Sequence, residues 1–325
     1  MTRIVTLLGI ATLAAAVGSS VALAQEPYPS KPIKLIVPFT PGTGIDILAR
    51  TLGQKIGDDW KSSVIVDNRP GASGNIGTEA VAKASPDGYT LLTTANTIVL
   101  NRGLFKTIPY DPIKDFAPIA PLAVGRLALV TNPAVPAKSA KDFIAYAKAN
   151  PGKLFYGSPG NGTPHHLAME VFKSATGIEV VHVPYKGTAG AVQDLLGGQI
   201  NVMFLPVHVA LPLVEAGKLN MLAAGGAERA SATPNVPSLA EAADVRDVDT
   251  DIWYALYAPA GTPRDIIAKL STEVNRLLKD PATIDTLTKQ GLQPTGGSPD
   301  DLAKLTKTDL DRWTKVIRDA KIQPD

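Results

Sequence analysis

Four histidines have the widest chemical scope in this sequence: the adjacent pair His165–His166, then His182 and His208. A metal site needs three or four ligands converging on one point. Adjacent histidines on a helix point in different directions, and no cysteine or carboxylate spacing supports them, so no metal is expected. His166, in the first turn of a helix, is better placed as a hydrogen-bonding side chain at a cleft. A Ser-His-Asp hydrolase would need a G-x-S-x-G turn. None exists, and Ser158 stands beside Pro159 instead.

The other chemistry lies in backbone amides. Residues 34–56 read KLIVPFTPGTGIDILARTLGQKI. Lys34–Pro38 is a short apolar run, expected as a buried strand. Phe39–Gly44 is a turn rich in Pro, Gly and Thr, and Ile45, Leu48, Leu52 and Ile56 then recur at helical spacing. A helix that starts after such a turn leaves N–H groups pointing outward, and its dipole adds to them, which suits an anion. There is no G-x-G-x-x-G and no Walker GK[ST], so a nucleotide is not indicated. From Phe39 to Ala49 there is no Lys or Arg, so the anion would be small and neutralised by dipoles. The plainer reading is a tight connection such as any α/β domain contains. Asp46, in the first turn, suits the dipole and either braces the loop or touches a ligand.

The same grammar returns at Leu154–Ser158, a strand, followed by PGNGTPHH over 159–166. Thr163 is a strong N-cap with Pro164 at the first helical position. Between Gly157 and Phe172 there is again no Lys or Arg. The two loops read as halves of one site, and the glycine-rich stretch Arg69–Gly77 as a further rim of the cleft.

Alternating strand and helix patterns position these loops. Strands are expected at Ser63–Asn68, Tyr89–Thr94, Asp115–Ala123, Arg126–Thr131, Glu179–Val183, Ile200–Leu205, Leu219–Ala224 and Asp251–Ala258. Helices are expected at Ser139–Asn150 with Ser139 as N-cap, Gly187–Leu196, Leu211–Ala216, Pro263–Lys279 and Ser298–Ala320. Such alternation gives parallel sheets with helices on both faces, and ligands bind beyond the strands' carboxyl ends. Trp253 and Tyr254 read as packing between lobes. Met1–Ala24 has an early Arg3, an apolar stretch and an A-x-A end, so export to the periplasm with cleavage after Ala24 is expected. The chain has 325 residues, no cysteine and a formal charge of +2, with no basic stripe interleaved with aromatics. Nucleic acid is therefore not an expected partner. About 300 mature residues imply two lobes.

Seven stretches in order carry a resemblance: YPSKPIKLIVPFTPGTGIDILAR, VDNRPGASGNIGTEAVAKASPDGYTLL, FAPIAPL, YGSPGNGTPHHLAMEVF, VPYKGTAGAVQDLLGGQINVMF, PNVPSLAEA and WYALYAPAGTP. Across roughly 25–325 the chain resembles the substrate-binding receptors of tripartite tricarboxylate transporters, the Bug family of periplasmic solute-binding proteins. The resemblance implies a two-lobed α/β flytrap of the type II kind, each lobe a mostly parallel sheet flanked by helices, with the ligand cleft between lobes. It implies no chemistry and no cofactor, a small mono-, di- or aromatic carboxylate as ligand, a membrane permease as partner, and a monomer. Lobe 1 would be residues 25–124 with 251–325, and lobe 2 residues 125–250, joined through Arg126–Thr131 and Asp251–Ala258.

Carried over by position, one ligand carboxylate is clamped by Phe39, Thr43, Gly44 and Asp46 of the first loop. Gly157, Ser158, Gly160, Asn161, Gly162, Thr163 and His166 of the central loop share the clamp, with Asn96, Thr97, Leu205 and His208 completing the cleft. Thr163 would accept a bond from its helix and donate one to the ligand. The sequence departs from the family pattern where Thr43 replaces a glycine, where Ile45 replaces Thr or Ser, and where Leu205–Pro206 replaces an Asp after Met203–Phe204. Loss of that carboxylate favours a ligand without an amino group. Two alternatives are a receptor that presents its ligand to a sensor kinase and a secreted hydrolase of small esters.

Overall fold

Ile33, Leu35, Ile36 and Val37 are all but inaccessible, so β1 (Ile33–Val37) is covered on both faces. That burial explains its unbroken apolar run. The computed structural model describes residues 28–319 apart from 231, 247 and 249; the expected signal segment and its cleavage point lie outside them. β1 runs parallel to both β2 (Val64–Asn68) and β3 (Thr90–Ala95). Helices α1 (Gly44–Trp60) and α2 (Asn75–Ala82) make the crossovers, and α3 (Thr97–Leu104) follows β3. Leu48, Leu52 and Ile56 of α1 are buried, as their spacing predicts.

After β4 (Phe116–Thr131) and α4 (Ala140–Ala149) the pattern repeats. Ser139 caps α4, its hydroxyl accepting from the Asp142 N–H at 3.1 Å. β5 (Leu154–Ser158) is parallel to both β6 (Val180–Pro184) and β7 (Val202–Pro206), so it holds the place that β1 holds earlier. Helices α5 (Pro164–Thr176), α6 (Thr188–Leu196) and α7 (Val207–Glu215) follow these three strands in turn. The chain continues through β8 (Asn220–Ala224), α8 (Leu239–Ala243), β9 (Asp251–Pro259), α9 (Arg264–Leu278), α10 (Pro281–Lys289), β10 (Leu292–Pro294) and α11 (Pro299–Asp319).

β4 and β9 join the two parallel sets into a two-lobed fold, and they run antiparallel to their neighbours. From Phe116 to Arg126, β4 pairs with β9, which pairs onward with β3; from Leu127 to Thr131 it lies between β7 and β8. β4 is one strand where two are expected from the sequence. The expected gap at residues 124–125 is paired through, and register shifts beside Pro118 and Pro121 let the prolines stay in the strand. α7 begins four residues before the expected Leu211, because Pro206 precedes its first turn and Pro212 interrupts its last. Helix α5 is held on β7 by Phe172, whose ring meets Phe204 edge to face at 5.9 Å. Each of these buried aromatics contributes about 2–3 kcal/mol. Among the described residues no helix is long and apolar enough to cross a membrane.

Candidate ligand-binding cavity

Thr43 is the N-cap of α1, with extended backbone (φ −78°, ψ 159°). Its hydroxyl donates back to the Thr40 carbonyl at 3.2 Å and does not cap the helix. The first bond of the helix is Ile47 N–H to Thr43 O, so the N–H groups of Gly44, Ile45 and Asp46 have no partner among the described residues. Gly42, at φ 83°, turns its N–H onto the Asp46 carboxylate at 3.0 Å. Arg50 Nε (3.0 Å) and Asn68 Nδ2 (2.9 Å) donate to the same carboxylate. Burial alone would raise the Asp46 pKa, but bonds from Arg50, Gly42 and Asn68 outweigh it and hold the group below the usual carboxylate range. Asp46 therefore braces the loop.

The central loop has the same form. Thr163 is the extended N-cap of α5, and its hydroxyl donates to Gly160 O at 2.8 Å. The expected bond from the helix to that hydroxyl is absent, and its one proton, expected to go to a ligand, is given to the turn carbonyl. Gly162, at φ 76°, gives its N–H to Nδ1 of His166 at 3.1 Å. The His166 ring stacks on His182 with centroids 4.2 Å apart, and His182 stacks on Tyr156 at 4.6 Å. Burial, then His166 and Lys173, push the His182 pKa down to about 3. Nε2 of His182 lies 2.7 Å from Ser158 Oγ. This pair is no hydrolytic dyad: Ser158 is fully buried, it is not on the cavity wall, and no described carboxylate bonds His182.

The starts of α1 and α5 meet at a narrow cavity of about 50 Å³ that opens to solvent. The starts of α3, α6 and α7 and the strand β9 complete its wall. That wall holds no Lys, Arg, Asp or Glu. Tyr254 of β9 brings a phenol to it, accommodated because residue 44 is glycine. A Cβ there would stand 2.6 Å from the Tyr254 hydroxyl.

Of the residues expected at the site, Phe39, Thr43, Gly44, Thr97, Thr163 and His208 line the cavity. The others do not. Asp46 and His166 brace the two loops from behind. Asn96 turns its amide to Asp251 O, Leu205 is buried in the core against β4, and Gly157 packs on Ile200. Ser158 bonds the turn that follows it. Gly160, Asn161 and Gly162 face the other lobe: Ser73 donates to the Asn161 carbonyl, and Gly162 lies against Leu104. His165, not His166, is on the wall, and Tyr254, read as packing, is on it too. Trp253, read as packing between lobes, is buried with its Nε1 bonded to Asp309 of α11 at 2.7 Å. Thr188 also lines the wall and is not among the expected residues; its signal is Gly187, the N-cap of α6.

The sequence profile described as "Tripartite tricarboxylate transporter family receptor" matches residues 48–322. The chain belongs to this family. BugT of Bordetella pertussis is 35% identical over 321 residues, covering 98% of each chain. Among solved structures, an R. palustris protein with adipate superposes with a TM-score of 0.88 at 36% identity, covering 92% of this chain and 100% of that one. The periplasmic binding protein BugD gives 0.86 at 28% identity, over 92% and 100%. MatC from Rhodopseudomonas palustris, with bound malate, gives 0.83 at 28%, over 89% and 100%. The family is one of periplasmic solute-binding receptors, and its two-lobed fold is the fold described above.

Proposed function

We propose that this family member is an exported receptor that captures a small organic acid by one carboxylate and delivers it to a membrane permease, without chemistry of its own. The observation that carries this reading is the meeting of two helix starts, α1 and α5, at one cavity whose wall has no charged side chain. Unpartnered N–H groups at Gly44 and Ile45, with the α5 start opposite, would hold the carboxylate through dipoles and charge-assisted bonds. With no acidic residue on the wall, an ammonium group would find no ion partner, so ligands lacking one are favoured. Carboxylate ligands in two similar structures, adipate and malate, support the same reading.

On this reading lobe 1 is 25–124 with 251–325 and lobe 2 is 125–250, the receptor is monomeric, and the signal segment ends at Ala24. Thermal-shift screening of the mature protein against mono-, di- and aromatic carboxylates tests the reading. A true ligand at a hundredfold excess over Kd adds about 2.7 kcal/mol of stability. A panel in which no carboxylate raises Tm, while a sugar or an amine does, would overturn it.

A further inference from the structure

On the wall contributed by α5 and α7 stand two imidazoles with buried ring nitrogens that no described residue bonds. His165 is 8% exposed, and neither of its ring nitrogens has a hydrogen-bond partner among the described residues. Nε2 of His208 is also buried and unpartnered. Both residues line the cavity. Native interiors pair nearly all buried polar atoms, and each one left unpaired carries a real cost. Three such nitrogens at one cavity mark a place where an incoming group completes the bonding.

The geometry points to His165 and His208 as a second recognition point of the cavity, holding a second carboxylate of the ligand and taking up a proton as it binds. This rests on the clamp reading above. Each neutral imidazole offers one N–H, so the pair can present two donors to one acceptor group. An ionised carboxylate buried there without a cation would be strongly disfavoured, and an imidazolium beside it removes that penalty. Burial first, then His208, brings His165 down to about 3, and burial brings His208 down to about 4. Both rings are neutral at neutral pH, so the proton is drawn from solvent on binding. Other groups nearby do not supply it. Tyr254 on β9 is kept in its neutral form by burial, and Asp46 on α1 is engaged by Arg50, Asn68 and Gly42. His166 on α5 is turned onto His182, and the wall residues from β7, α3 and α6 bring no titratable side chain.

Isothermal titration calorimetry tests this with the straight-chain C4 to C6 dicarboxylates and the monocarboxylates of equal length, in buffers of different ionisation enthalpy. The best dicarboxylate is expected to bind at least about tenfold tighter than its monocarboxylate partner. About one proton should be taken up with the dicarboxylate and none with the monocarboxylate. In His165→Gln and His208→Gln, each checked for a cooperative melt, that preference should fall toward parity and the proton uptake should vanish. Equal affinity for both ligand types in the unaltered protein would overturn the proposal while leaving the clamp standing. So would a preference without proton uptake, or one that survives both substitutions. Binding of neither ligand type would overturn the clamp reading and this proposal together.

Discussion

In the β1–α1 loop Gly42 gives its N–H to the carboxylate of Asp46; in the β5–α5 loop Gly162 gives its N–H to Nδ1 of His166. In both loops a glycine at positive φ precedes a threonine N-cap, the threonine hydroxyl donates to the carbonyl three residues back, and the brace sits at the third helical position. The plan is shared and the brace differs. Asp46 is a charged hub for Arg50, Asn68 and Gly42, whereas His166 offers one neutral acceptor and a ring stacked on His182. Two helix starts can thus be aimed at one cavity by unrelated side chains, provided each accepts the glycine N–H. Neither brace adds an unpaired charge beside the anion.

Removing each brace separates the two cases most strongly. Asp46→Ala removes a buried carboxylate that accepts from three donors and is expected to cost about 3 kcal/mol, read by urea denaturation. His166→Ala removes a neutral acceptor and part of the stack and should cost about 2 kcal/mol. Equal costs, or a larger one at 166, would remove the distinction between a charged and a neutral brace.

Acid sharpens the same comparison. The folded-state pKa values of His165, His182 and His208 lie below the ordinary histidine value, so the folded form binds fewer protons than the unfolded chain beneath about pH 6.5. The stability that depends on these groups is whole above that pH and is lost as pH falls toward 4. Buried His165 alone should account for about 1–2 kcal/mol by pH 5. Asp46, held below the usual carboxylate range, supports the first loop until pH falls under about 4. Urea denaturation stepped downward from pH 7 should therefore show stability falling between about pH 6.5 and 4, before the Asp46-dependent part is lost. A stability flat down to pH 4 would contradict this.

The smallest expected effects concern the threonines. Thr163 is fully buried with a 2.8 Å bond, while Thr43 is half-buried with a 3.2 Å bond. Thr163→Val should cost about 1 kcal/mol of stability and Thr43→Val about half that, with Thr163→Ser nearly silent. A silent Thr163→Val would return that hydroxyl to the ligand alone.

Much of this is legible in the sequence. Gly, Thr and Pro punctuate both loops, and the spacing of Leu48, Leu52 and Ile56 fixes the buried face of α1. What stays hidden has physical reasons. β9 is buried along nearly its whole length, so no alternation marks Tyr254 as facing a cavity. His165 and His166 are neighbours at a helix start, and which of them meets the cavity depends on how α5 is seated on β7. Thr163 obeys the N-cap preference in its backbone, while a turn carbonyl takes its hydroxyl. Gly160 and Asn161 share the loop's grammar but face Ser73 across the cleft.

The central claim is that neutral backbone donors at two helix starts hold a carboxylate. Calorimetry comparing a bound acid with its methyl ester at the clamped end tests it most directly. Losing the charge should weaken binding by at least about 2 kcal/mol, roughly thirtyfold, because charge-assisted bonds to the N–H groups are lost. Equal affinity for acid and ester would contradict the account.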